Sequence, residues 1–218
     1  MGNNLIEATV GIFTFFKRIL FAPKEAFGGI LNNSPVASSI AWFLPLLVFQ
    51  PIILALLLAF VNSVSPVKLT IGLENLFAFG VLLSLVLLVK DYLAVGFFSV
   101  IVLLVTKLWL KKQQKFSPIY VAELYLQGFG EVLAIVFMAF FAMAGSFAGE
   151  MVLQFLMVPQ LLVFIYTVYL QTVAISKAVD TSQTNAFMIW LFSTIIYVVI
   201  ALGLVVSLII GMGGGIKL

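Results

Sequence analysis

The sequence predicts an all-α integral membrane protein, a polytopic bundle of five transmembrane helices preceded by an amphipathic interfacial helix. Three observations carry this. The chain is 64% hydrophobic and only 9% charged, against roughly 45–50% and about 25% in soluble domains. Its mean hydropathy is +1.27, more apolar surface than a globule of this length can hide from water. Its basic residues sit in short connections between apolar runs, as in the cytoplasmic loops of membrane proteins.

An N-terminal arm is expected over residues 1–35. Glu7 precedes any apolar run, and Lys17 and Arg18 follow it, which is not the order of a cleavable signal. At 100° per residue, Glu7, Gly11, Thr14 and Arg18 share a narrow arc opposite Leu5, Ile6, Val10, Phe13, Phe16, Ile19 and Leu20, so residues 3–22 form an amphipathic helix. The pattern suits a helix lying on the bilayer and equally one packed sideways on the bundle. Pro23 interrupts it and begins a second short helix, Lys24 to Ile30, closed by Gly28, Gly29 and the turn at Asn32 to Pro35.

The membrane domain is predicted over 36–211. Residues 36–61 carry no charge and exceed the roughly 20 apolar residues a span requires; Pro45 and Pro51 should kink this first span. The stretch from Ile71 to Leu110 is divided by Lys90 and Asp91. If only 92–110 crosses, Lys17, Arg18, Lys24, Lys107, Lys111, Lys112, Lys115 and Lys177 lie in the cytoplasm and Lys68, Lys90 and Lys217 outside. If both halves cross, the bias vanishes, so the positive-inside rule selects five spans. Residues 71–89 are then a non-spanning apolar helix at the outer interface or against the bundle, or the outer part of one long tilted helix. The remaining spans are expected at about 128–149, 152–176 and 186–211, with an outer turn at Glu150, a cytoplasmic loop from Lys177 to Asn185 rich in the capping types Asp180, Thr181, Ser182 and Thr184, and a flexible tail, 212–218. The protein is placed in the plasma membrane, N-terminus cytoplasmic and C-terminus outside.

Cysteine and histidine are absent, which removes thiolate nucleophiles, disulfides and imidazole or thiolate metal sites. No cofactor, metal or catalytic residue is expected. Intramembrane hydrolysis needs paired carboxylates, an activated serine or a metal, and Glu123 and Glu131 stand two helical turns apart, so the chain is read as no enzyme. A net charge of +3 without a clustered basic and aromatic face argues against nucleic acid. The Gly213 to Gly215 run follows a helix and lacks the ending of a phosphate loop.

Two groups of residues are candidate sites. Glu123, Gln127 and Glu131 recur at steps of four and line one helix face; they form either a polar seam or ligand site, or, for Glu131, a contact with the cytoplasmic headgroups. Lys107, Lys111, Lys112 and Lys115 are candidates for anionic-lipid contact. Lys90 and Asp91, about 100° apart on a helix, should each seek water or a separate partner. Gln154, Gln160 and Gln171 should hydrogen-bond across helices. Trp42, Trp109, Trp190, Tyr92, Tyr120 and Tyr125 fit an aromatic interface belt.

Three segments resemble the Yip domain family, the Ypt/Rab-interacting membrane proteins and their prokaryotic relatives. Leu20 to Phe27 (LFAPKEAF), with Trp42 and Pro45 after it, is similar to that family's approach to its first span. Lys111 to Tyr125 (KKQQKFSPIYVAELY) is similar to its loop before span three, and Tyr169 to Ala178 (YLQTVAISKA) to the end of its span four. The apolar insert at 71–89 departs from the simplest family pattern. The long N-terminal region of the eukaryotic trafficking members has no counterpart here, so Rab binding is not carried over. The resemblance implies a prokaryotic five-span protein with its N-terminus in the cytoplasm; the expected role is to organise membranes or contact other membrane proteins or a second copy of itself through its cytoplasmic face, where the loop lysines could also hold anionic lipid. The rival expectation is a transporter or channel component with its polar path at Glu123, Gln127 and Glu131.

Overall fold

The computed structural model describes residues 14, 16–33 and 73–213. The expected first span over 36–61 and the beginning of the amphipathic arm lie outside these residues. Within them a helical stretch, 16–21, leads to α1 (Pro23–Asn33), followed by α2 (Leu73–Leu110), α3 (Phe116–Val179) and α4 (Gln183–Gly213). No strand occurs among the described residues.

α2 is one unbroken helix of 38 residues. Nothing between Leu73 and Leu110 is a proline, and Lys90 and Asp91 fall in mid-helix. At 1.5 Å per residue it is about 57 Å long, nearly twice an approximately 30 Å hydrocarbon core.

α3 has 64 residues and as a straight rod would extend about 96 Å. Its ends nevertheless meet. Gln114, just before it, donates from Nε2 to the Val179 carbonyl over 3.0 Å, the Gln171 amide hydrogen-bonds the Glu123 carboxyl, and Gly130 and Val163 line the same small cavity. These pairs run antiparallel, so the chain reverses direction between residues 130 and 163, giving α3 two arms. The segments expected as the third and fourth spans both fall in this one element, and of the two Pro159–Val179 is, among the described residues, long and apolar enough to cross a membrane.

Buried apolar side chains tie the arms together at the end where the loops 111–115 and 180–182 lie. Val102, Ile119, Ile175, Val179, Ala186 and Ile189 form one cluster from α2, both arms of α3 and α4. Ile19, Phe27, Val121, Leu126, Phe129, Leu170 and Val173 form another, which docks the N-terminal segment on the α3 hairpin. Ile19 and Phe16 are on the apolar face read from the sequence, and Phe16 stacks on Phe129 at 5.2 Å. Arg18 points outward, while Leu20 and Phe21 remain exposed. α1 runs through Gly28 and Gly29 to Asn33, beyond the end expected at Ile30, with Ala26, Phe27 and Ile30 buried. Packing holds it: apolar helix faces that meet remove those side chains from water, worth about 1.5–3 kcal/mol for each large one.

Both helix ends at the loops use a left-handed residue other than glycine, Lys111 (φ 54°) after α2 and Asp180 (φ 50°) after α3. The Thr181 N–H returns to the Ser176 carbonyl over 3.1 Å, the closing bond of a Schellman turn. α4 is then capped by Ser182, whose hydroxyl accepts from the Asn185 N–H at 3.3 Å.

Candidate functional site

The fold-back of α3 decides what its polar face meets. Glu123, Gln127 and Glu131 do share that face, but they fall into two groups. Glu123 is 4% exposed, and its carboxyl takes a hydrogen bond from the Gln171 amide on the returning arm. Glu131 accepts from Gln127 Nε2 at 3.0 Å and faces the Asp91 carboxyl of α2. Lys90 Nζ lies 2.9 Å from Asp91 Oδ1, with the lysine side chain 61% and the aspartate 9% exposed. The expectation that Lys90 and Asp91 do not meet is therefore corrected: adjacent Cα–Cβ vectors diverge, but four methylenes let the lysine curl back over its neighbour while its charge stays at the surface. That charge offsets the repulsion of the two carboxyls beneath it.

Beside Glu123 is a cavity of about 290 Å³. Ala94, Val95 and Phe98 of α2 form one wall, Glu123 and Gln127 the floor, Phe164, Thr167, Val168 and Gln171 of the returning arm a second wall, and Trp190, Thr194 and Tyr197 of α4 the third. Two acceptors of these residues, Glu123 Oε1 and Gln171 Oε1, are fully buried and have no hydrogen-bond partner. Such atoms cost about 1–3 kcal/mol each when unsatisfied, more if charged. Among the described residues the ion pair is Lys90–Asp91, so Glu123 has no cationic partner there. The residues lining the cavity combine a carboxyl, amides and hydroxyls with aromatic side chains.

Sequence reasoning placed Glu123 and Gln127 here and expected Gln171 to bond across helices, which it does. It missed the Glu123–Gln171 pairing and the walls from α4. Trp190, expected as a belt anchor, is half-buried at the cavity. A signal was available for the returning arm: Gln160, Thr167 and Gln171 repeat at helical spacing on one stripe. Gln160 and Thr167 line a second cavity of about 210 Å³ with Gly130, Leu133, Ala134, Phe137 and Val163.

At the loop end, Lys107, Lys111, Lys112, Lys115 and Lys177 are all exposed. Leu108 and Trp109 beside them are exposed as well, and Trp109 packs on Phe192 at 5.6 Å.

Among the described residues three segments, Val89–Leu110, Pro159–Val179 and Gln183–Ser207, are long and apolar enough to cross a membrane. Fold and composition together define a helical membrane protein. Comparison with protein-family models, curated proteins and solved structures finds no match.

Proposed function

We infer that the chain is a non-enzymatic, multi-pass plasma-membrane protein of the prokaryotic Yip type, which works by holding anionic lipid or a membrane partner at its cytoplasmic end. In this reading it crosses five times: by residues 36–61, by α2, by the two arms of α3 and by α4. The N-terminus is then cytoplasmic and the C-terminus outside. The observation that carries the proposal is the gathering of Lys107, Lys111, Lys112, Lys115 and Lys177 at one end of the bundle, where Gln114 ties the 111–115 loop to the end of α3. Exposed Leu108, Trp109 and Phe116 among these lysines match an interface, where apolar and aromatic groups enter the bilayer and ammonium groups meet phosphates. The resemblance of Lys111 to Tyr125 to the Yip loop before span three supports the same end.

Basic residues near an anionic surface contribute about 1 kcal/mol each. Replacing Lys111, Lys112 and Lys115 together by glutamine should therefore weaken phosphatidylglycerol retention by about a hundredfold, measured by native mass spectrometry of protein extracted from mixed phosphatidylglycerol and phosphatidylcholine membranes. Unchanged retention would overturn the proposal.

A second reading, a transporter or channel component, is favoured by the cavity at Glu123 and Gln127. Single cysteines at 127 and 131 in this thiol-free chain should react with a water-soluble maleimide if a polar path reaches them; failure to label from either side would count against a path.

A further inference from the structure

We propose that Glu123 is held as the neutral acid and donates its O–H to Gln171 Oε1, clasping the two arms of α3 with a closed pair of hydrogen bonds. Loss of that one proton opens the clasp. The case begins with the pattern of bonds. The Gln171 amide already hydrogen-bonds the Glu123 carboxyl, yet the remaining oxygen of each group, Glu123 Oε1 and Gln171 Oε1, is fully buried and unpartnered. A carboxylate only accepts, whereas a protonated carboxyl has one O–H to give. A single proton on Glu123 Oε1 therefore provides for both atoms, the first becoming the donor and the second its acceptor. One bond already joins the two planar groups, so the second closes a ring without any other residue.

Burial and the surrounding charges favour the neutral form. Glu123 is 4% exposed, and an isolated ionised carboxylate in an apolar interior is very costly. Among the described residues no cation compensates it. On α2, Lys90 pairs with Asp91, and both act on Glu131, two turns along the helix from Glu123. Lys17, Arg18, Lys24 and Glu25 of the N-terminal segment are exposed, as are Asp180 and the loop lysines. Tyr92 of α2 packs against the neighbouring Leu124 and Tyr197 of α4 lines the adjoining cavity, but tyrosine is neutral below about pH 10. Glu123 precedes the third span, expected from about 128, and burial pushes its carboxyl up to about 8, with the Gln171 hydrogen bond acting in the opposite direction.

The clasp sits between the two buried clusters at the loop end. Ala122 and Leu170, each next to one of its members in the chain, belong to the cluster that docks the N-terminal segment, while Ile119 and Ile175, four residues from them, belong to the one that joins α2 and α4. Parting the arms there loosens both. A carboxyl that returns to the ordinary range near 4.3 when the arms part binds more protons closed than open. Closure is therefore strongest in acid, weakens by up to about tenfold per pH unit between about pH 5 and about pH 8, and changes no further above that.

The test uses the full chain in detergent micelles. Infrared difference spectra should show an acid carbonyl band that is present at about pH 6, lost with a midpoint near about pH 8, and missing from Glu123→Gln. Gln171→Leu, which removes both partners of the acid, should move that band to the higher frequency of an unbonded carboxylic acid, and identifies it if Glu123→Gln does not fold. Spin labels on Lys115→Cys and Lys177→Cys in this thiol-free chain should give a narrow distance distribution at about pH 6 that broadens at about pH 9; with Glu123→Gln added it should stay narrow at both. Absence of any Glu123-dependent acid band at about pH 6, loss of the band below about pH 5, or an unmoved band in Gln171→Leu would overturn the acid–amide pair. Spin-label distances that ignore pH, or that broaden equally with Glu123→Gln, would overturn the clasp.

Discussion

The Tyr166 hydroxyl lies 2.8 Å from the Ile19 carbonyl and 2.9 Å from that of Leu20. The Ile19 carbonyl is the one that would accept from the backbone N–H of residue 23 in a continuing helix. That residue is Pro23, which has no N–H. The break that ends the first helical stretch thus creates the acceptor by which it is fastened to α3.

Tyr166→Phe should therefore loosen the N-terminal segment while leaving the bundle intact. A net hydrogen bond is worth about 0.5–1.5 kcal/mol, so amide exchange in residues 16–33 should accelerate roughly three- to tenfold, with no change in α4. Equal acceleration throughout would mean that the arm and the bundle open together.

Removing the partner of Glu123 should cost more than removing its charge. Gln171→Leu leaves a buried carboxyl with no donor, expected to destabilise by about 1–3 kcal/mol. Glu123→Gln keeps the shape without the charge and should be neutral or stabilising. Thermal unfolding in detergent compares the two; a more damaging Glu123→Gln would refute the account.

Ser99, Thr106 and Ser193 are buried with unpartnered hydroxyls, unlike Thr167 and Thr172, which donate to the Val163 and Val168 carbonyls. Their small size lets helices approach closely. Ser193→Ala and Ser99→Ala retain that size and should change stability by less than about 0.5 kcal/mol or raise it. Losses above about 1 kcal/mol would show that the hydroxyls are bonded in the native bundle.

Asp180 adopts a left-handed conformation at the end of α3, where glycine avoids a steric cost of about 1–2 kcal/mol. Asp180→Gly should raise the unfolding midpoint, the gain reduced by the added freedom of the unfolded chain. A fall would mean that the aspartate side chain contributes a contact at the turn.

α2 is too long for the bilayer even at a tilt of about 40°, where its approximately 57 Å still spans some 44 Å along the normal. Spin labels on cysteines at Leu93 and Leu104, both exposed, should report oxygen-rich lipid. In the five-span reading a label at Leu82 should report the interface or water. Lipid immersion at Leu82 with water at Leu104 would shift the crossing to the outer half of the helix.

What could be read without coordinates was whatever depends on one helix at a time. Glu123, Gln127 and Glu131 share a face because a step of four residues nearly closes a helical turn. The apolar side of 16–20 was legible for the same reason. The rule failed for Lys90 and Asp91, where a flexible stem outweighs the angle between Cβ vectors, and for Trp190, whose aromatic type suits an interface and a cavity wall equally.

Composition and periodicity determined by themselves that this is a helical membrane protein, because so few charges in so apolar a chain leave no other way to satisfy the backbone and hide the side chains. Tertiary structure alone decided that α2 is continuous, that the two ends of α3 run antiparallel, and that Gln171 returns to Glu123 while Glu131 turns to Asp91. Those choices depend on the register between helices, and uniformly apolar surfaces carry too little pattern to encode register in the sequence where a reader can find it.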